Sequence, residues 1–85
     1  MSDAQTFARA VELQRAGQLD QAAALYYELS QTTLTTNLIQ NLAGCLVPLK
    51  RYAEAECWLR LALEQRPEDA SLLEQFDDLQ AARSA

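Results

Sequence analysis

Apolar positions along this chain recur at helical spacing, not at the alternation of a strand. Phe7, Ala10, Val11 and Gln14 fall on one side of a helical wheel, and Ala8 and Leu13 widen that face. Ser2 or Asp3 can cap the start of this first helix with a side-chain oxygen. Gly17 interrupts the pattern and Gln18-Leu19-Asp20 forms a short turn. A second helix is predicted from about Asp20 to about Ser30, on the stripe Ala22, Leu25, Tyr26 and Leu29. The threonine-rich run from Gln31 to Asn37 is poor helix material and reads as a connector, with Thr35 or Thr36 capping the third helix. That helix carries Leu38, Ile39, Leu42, Leu46 and Leu49, with Gly44 and Pro48 inside it. Pro48 lacks a backbone donor and clashes with the carbonyl of Gly44, so the last turn kinks or ends early.

Arg51-Tyr52-Ala53-Glu54 reads as the next turn. The fourth helix has Ala55, Trp58, Leu59, Ala62 and Leu63 as its stripe, and Pro67 stops it. Glu68-Asp69 caps a fifth helix with Leu72, Leu73, Phe76 and Leu79, and the chain from Ala81 to Ala85 is expected to fray. No linker divides the chain, so the expectation is one all-α domain of five helices over residues 1–85.

The first two helices resemble the next two at an offset of 33 residues. Ala10, Leu13 and Ala22 map onto Ala43, Leu46 and Ala55, and Leu19, Tyr26 and Leu29 meet Tyr52, Leu59 and Ala62 in kind. The second unit reads Ile39-x2-Leu42-Ala43-x2-Leu46, then Ala55-x3-Leu59, then Pro67. That frame resembles the tetratricopeptide repeat (TPR), a helix–turn–helix unit of about 34 residues with the signature Trp-x2-Leu-Gly-x2-Tyr, Ala-x3-Phe, Pro. Aliphatic residues fill the aromatic slots here, and Arg51-Tyr52-Ala53-Glu54-Ala55 looks like the family's turn phrase. The first unit keeps Ala10-x2-Leu13, Gly17-x-Leu19-x2-Ala22 and Ala22-x3-Tyr26. It departs at Thr6 and Arg9, where large apolar residues belong, and at Leu34, where Pro belongs. The resemblance implies a TPR-like α-solenoid: repeat one over about 4–34, repeat two over about 36–67, and a capping helix over about 69–82. In such a stack Ala10, Ala22, Ala43, Ala55 and Ala62 let helices approach closely, while Leu13, Tyr26, Leu42, Leu46 and Leu59 fill the space between units.

Composition agrees with helices: Ala and Leu contribute fifteen residues each and Gln nine, with two Gly and two Pro. It also removes chemistry. The chain has no His, so the commonest general base and metal ligand is missing. Twelve acids against seven bases give a net charge of −5, and Lys50-Arg51 is too small a basic patch to hold a phosphate backbone, so no nucleic-acid partner is expected. No apolar run approaches the ~20 residues of a membrane span, and Met1-Ser2-Asp3-Ala4-Gln5 has neither the basic start nor the apolar core of a secretory signal. A cytoplasmic protein without a membrane partner is the expectation. Cys45 and Cys57 lack the further ligands of a zinc site, and Lys50, the single lysine, lies in a turn. Neither a Gly-x-Ser-x-Gly motif nor a phosphate-binding glycine loop occurs. The reading is of a non-enzyme without cofactor or metal, with Cys45 packed and Cys57 exposed.

For function, the resemblance implies a concave groove lined by the first helix of each pair, which holds a segment of a partner protein. The implied contact residues are Phe7, Val11 and Gln14 from the first helix, Asn37, Gln40 and Asn41 from the third, and Glu74 and Asp78 from the fifth. The family's carboxylate clamp is absent, because of its matching positions Phe7, Val11, Asn41, Ser71 and Gln75 only Asn41 fits. Glu74 and Asp78, one helical turn apart, favour a cationic or neutral partner. The family context is that of small bacterial adaptors and secretion chaperones. Two alternatives stand beside it. The chain self-associates as a homodimer through apolar ends at Phe7 and Val11 or at Phe76 and Leu79, or it is the N-terminal part of a longer scaffold.

Overall fold

The computed structural model describes residues 2–84, and among them the secondary structure is entirely helical: α1 (Asp3–Arg15), α2 (Leu19–Ser30), α3 (Thr36–Leu46), α4 (Tyr52–Gln65) and α5 (Ala70–Ser84). The starts of three helices are set by side-chain caps. Ser2 Oγ accepts from the Gln5 N–H at 3.2 Å while Gln5 Oε1 accepts from the Ser2 N–H at 3.1 Å, a reciprocal capping box. Thr35 Oγ1 accepts from the Leu38 N–H at 3.1 Å and Asp69 Oδ1 from the Leu72 N–H at 3.2 Å. Thus Thr35 is the cap of α3 and Asp69 that of α5.

Each helix packs on the one before it: α1 with α2, α2 with α3, α3 with α4, α4 with α5. Such neighbour-to-neighbour packing is what a helical solenoid requires. The core runs along the stack. Ala10, Ala22, Ala43, Ala55 and Ala62 are buried at the crossings, and Tyr26, Leu42, Leu46 and Leu59 are fully buried between them. Cys45 is buried as a free thiol and Cys57 is exposed.

Several elements differ from the sequence pattern. In α1 the buried residues are Thr6, Ala10 and Leu13, while Phe7, Val11 and Gln14 are half-buried and Ala8 is exposed. The core-facing stripe is therefore rotated from the expected one. Thr6 tolerates burial because its hydroxyl donates to the Ser2 carbonyl at 3.1 Å. Helix α3 does end early, as Pro48 implied, but it stops at Leu46, so Pro48 and Leu49 lie in the following turn and not within the helix. Tyr52, Ala53 and Glu54 are the first turn of α4, not a connection. At the other end α5 continues to Ser84 instead of fraying from Ala81 (Ala85 lies outside the described residues). Its last turns are tied to α4, since Gln80 Nε2 donates to Glu56 Oε1 at 3.1 Å and Arg83 pairs with the same carboxylate. On α5 itself Leu79 is fully buried and Phe76 half-buried, so of the two residues expected at an apolar end only Phe76 keeps part of its surface open. Leu73 remains exposed.

Candidate protein-interaction face

Two contacts bring α1, α3 and α5 to one side of the molecule. Gly44 of α3 lies against Gln14 of α1, so that a Cβ at Gly44 would meet Gln14 Nε2 at 3.2 Å. Gln75 Nε2 of α5 donates to the Gln40 carbonyl of α3 at 2.9 Å. A glycine at the first contact lets α3 come close to the α1 side chain.

The residues expected on this face differ in their surroundings. Phe7 is half-buried with its ring edge-on to Tyr26, centroids 5.7 Å apart, and Val11 is half-buried one turn on. Gln14 Oε1 accepts from the Tyr26 hydroxyl at 2.9 Å. Gln40 and Asn41 are half-buried, and Asn37 is exposed in the first turn of α3. Glu74 and Asp78 are exposed on α5. The structure thus joins Gln14 to α3 and Gln40 to α5, while the side chains of Asn37, Glu74 and Asp78 stand in solvent. Gln75, which couples α3 to α5, holds one of the positions that the repeat frame assigns to this face. Its bond to α3 was not expected, because the partner is a backbone carbonyl 35 positions away. A cavity of about 460 Å³, lined by Leu34, Thr36, Ile39, Leu61, Gln65 and Arg66, opens elsewhere, at the α2–α3 connection.

A second cluster lies where α2 meets the start of α4. The Tyr27 hydroxyl donates to Glu54 Oε2, and Arg51 grips the same carboxylate through Nε at 3.0 Å and Nη2 at 2.7 Å. These bonds, from Arg51 first and then from Tyr27, hold the Glu54 carboxyl below its ordinary range. Burial, then the Glu54 bond, pushes the Tyr27 phenol up. The Trp58 ring lies 5.8 Å from that of Tyr27, so the single tryptophan packs against α2 at this edge. In the core, burial pushes the Tyr26 phenol up to about 12 and the Cys45 thiol up to about 11. A thiol held protonated is a poor nucleophile. Among the described residues no group of three or more His, Cys, Asp or Glu is placed to hold a metal ion, and no helix is long and apolar enough to cross a membrane.

The model of the coatomer epsilon subunit family matches residues 4–76, from the first turn of α1 to Phe76 in α5. The chain belongs to the coatomer epsilon subunit family. No curated protein and no solved structure gave a match. Membership in the coatomer epsilon family agrees with the all-helical repeat architecture and identifies the chain as one of a family of helical scaffold subunits, not of enzymes. The match reaches every one of the five helices, so the face formed by α1, α3 and α5 lies within the coatomer epsilon family region up to Phe76.

Proposed function

We propose that this member of the coatomer epsilon family is a TPR-like interaction module that holds an extended or helical segment of a partner protein across the α1–α3–α5 face. The observation that supports it most is the alignment of half-buried polar side chains, Gln14, Gln40 and Asn41, on helices that contact each other through Gln14–Gly44 and Gln75–Gln40. Amide side chains held partly out of water offer directed hydrogen bonds to a peptide backbone, and Phe7 and Val11 supply adjoining apolar area. Exposed Glu74 and Asp78 at the α5 edge disfavour an acidic segment. In this reading residues from about 4 to 34 and about 36 to 67 are the two repeats, residues from about 69 to 82 cap them, and the module works in the cytoplasm as an adaptor. The matched family's name, that of a coatomer subunit, supports a role inside a protein assembly.

The experiment is capture of the partner from native cytosol followed by substitution on two faces. Gln40→Arg is expected to abolish capture with the helical spectrum and melting curve unchanged, while Cys57→Ser, at an exposed residue of α4, leaves capture intact. Capture that survives Gln40→Arg but is lost on changing Tyr27 or Trp58 would move the interface to the outer cluster.

A further inference from the structure

Every helix from α3 onward sits in a notch between its two predecessors. Helix α4 packs on α3 and also reaches α2, through Glu54 and Trp58 on Tyr27. Helix α5 packs on α4 and also reaches α3, through Gln75 on the Gln40 carbonyl. The next notch in this series lies between α4 and α5. It is a cavity of about 430 Å³ lined by Arg60, Leu63 and Glu64 of α4 and by Leu73 and Phe76 of α5.

The repeat register says what such a notch is built to hold. The caps Thr35 and Asp69 are 34 residues apart, which puts Leu73 where Ile39 stands and Phe76 where Leu42 stands. Ile39, which lies beside Leu61 and Ala62 of α4, is 3% exposed and Leu42 0%, whereas Leu73 is 44% exposed and Phe76 half-buried. Apolar positions that are covered in the second unit are partly open in the third.

Charge narrows the occupant. Arg60 is already engaged, by Glu56 at 3.4 Å and by the Phe76 ring, whose centroid is 5.4 Å away. Glu64 on the α4 side, and Asp77 on α5 one turn from Leu73, have no ion-pair partner among the described residues. A chain of net charge −5 repels its own copy, which argues against a second molecule as the occupant. We propose that the α4–α5 notch is a docking surface for an amphipathic α-helix of a partner protein, with lysine or arginine flanking its apolar face. It is independent of the α1–α3–α5 face, because it uses the opposite flank of α5.

The test uses the full chain and a synthetic helix with α4's own pattern. The probe is the peptide of residues 51–66 with Glu54, Glu56 and Glu64 replaced by lysine and Cys57 by serine; the comparison peptide carries only the Cys57→Ser change. The lysine peptide is expected to bind about tenfold tighter than the comparison at low salt, with amide shifts in the chain centred on Leu63, Leu73 and Phe76. Leu73→Glu is expected to weaken binding about tenfold while leaving the helical spectrum intact. Non-specific attraction to an acidic protein would be strengthened by that added carboxylate, so unchanged or tighter binding by Leu73→Glu overturns the proposal. Shifts centred on Gln40 and Asn41 overturn it, as does failure of both peptides to bind a folded chain. A dimer of the free chain that Leu73→Glu converts to monomer would assign the notch to a second copy and also overturn it.

Discussion

Gly17 and Lys50, 33 residues apart, close their helix pairs with the same left-handed turn, at φ +82° and +63°. The hydrogen bonds around them match one for one. The Gln18 N–H donates to the Leu13 carbonyl at 2.9 Å and the Arg51 N–H to the Leu46 carbonyl at 3.0 Å. The Gly17 N–H reaches Gln14 at 3.1 Å and the Lys50 N–H reaches Val47 at 2.9 Å. This i to i−5 closure ends α1 and α3 alike and aims the following helix back along the one before. The 33-residue offset read from Ala10, Leu13 and Ala22 is therefore also an offset of backbone geometry.

The shared turn has unequal occupants, and that sets the first prediction. Glycine carries no Cβ penalty at positive φ, whereas a lysine there costs about 1–2 kcal/mol. Lys50→Gly is expected to stabilise the chain by about 1 kcal/mol, less some gain in unfolded-state entropy. Gly17→Ala is expected to cost about 1 kcal/mol from the backbone alone, because a Cβ at Gly17 meets nothing within 4 Å. Urea unfolding of the two variants checks both signs, and a destabilising Lys50→Gly would show that the Lys50 side chain holds the turn.

The five helices were legible because their caps and stops are local. Ser2, Thr35 and Asp69 act within three residues, and α4 ends at Gln65, before Pro67. The features that were not legible depend on partners far along the chain or on the backbone. The α1 stripe turned toward Thr6 because the hydroxyl finds the Ser2 carbonyl while Phe7 lies against Tyr26. The end of α5 holds because Glu56, 24 and 27 positions back, receives Gln80 and Arg83. Of the candidate face, the grouping of α1 with α3 and α5 came from the repeat frame. The role of Gln75 did not, since its acceptor is backbone and leaves no mark in side-chain pattern.

Ala55 tests the packing between units. It is 0% exposed at the start of α4, in the position of Ala22 on α2. Ala55→Leu is expected to overpack this crossing and to cost roughly 1–3 kcal/mol, read as a lower melting temperature with a helical spectrum at low temperature. An unchanged melting curve would mean that the crossing has room for a larger residue, and that small size at Ala55 is not what sets the spacing.

Alkaline pH acts on the same core. Burial raises the Cys45 thiol to about 11 from 9.0, and the Tyr26 phenol to about 12 from 10.0 by burial and then by the nearby Cys45. For groups raised in the folded state, the unfolded chain releases protons first. Stability is thus fully present below about pH 9 and is lost as pH rises, through the thiol between about 9 and 11 and the phenol between about 10 and 12. The loss assigned to Cys45 is of order 2 kcal/mol. Cys45→Ala is expected to lower stability at neutral pH through the lost sulfur packing, yet to flatten the fall in melting temperature between pH 9 and 11. Parallel curves for the two proteins across that window would place the titration elsewhere.

Glu56 is where α4 holds the end of α5. Its carboxylate accepts from Gln80 at 3.1 Å, pairs with Arg83, and meets Arg60 at 3.4 Å. The Gln80 bond and then the Arg83 charge hold its carboxyl below the ordinary range. A carboxyl depressed on folding contributes stability above its unfolded pKa that disappears as pH falls through the folded value. Acid is therefore expected to release the last turns of α5 before the core opens. Glu56→Ala should do the same at neutral pH: faster amide hydrogen exchange from Ala81 to Ser84, by about tenfold, with little change at Leu72 or Leu59. Glu56→Gln keeps an acceptor for Gln80 but loses the Arg83 charge, so its exchange should fall between the two. Equal protection of Ala81 to Ser84 in all three proteins would mean that α5 persists through its own helix propensity, with the Glu56 cluster as a consequence of the helix and not its anchor.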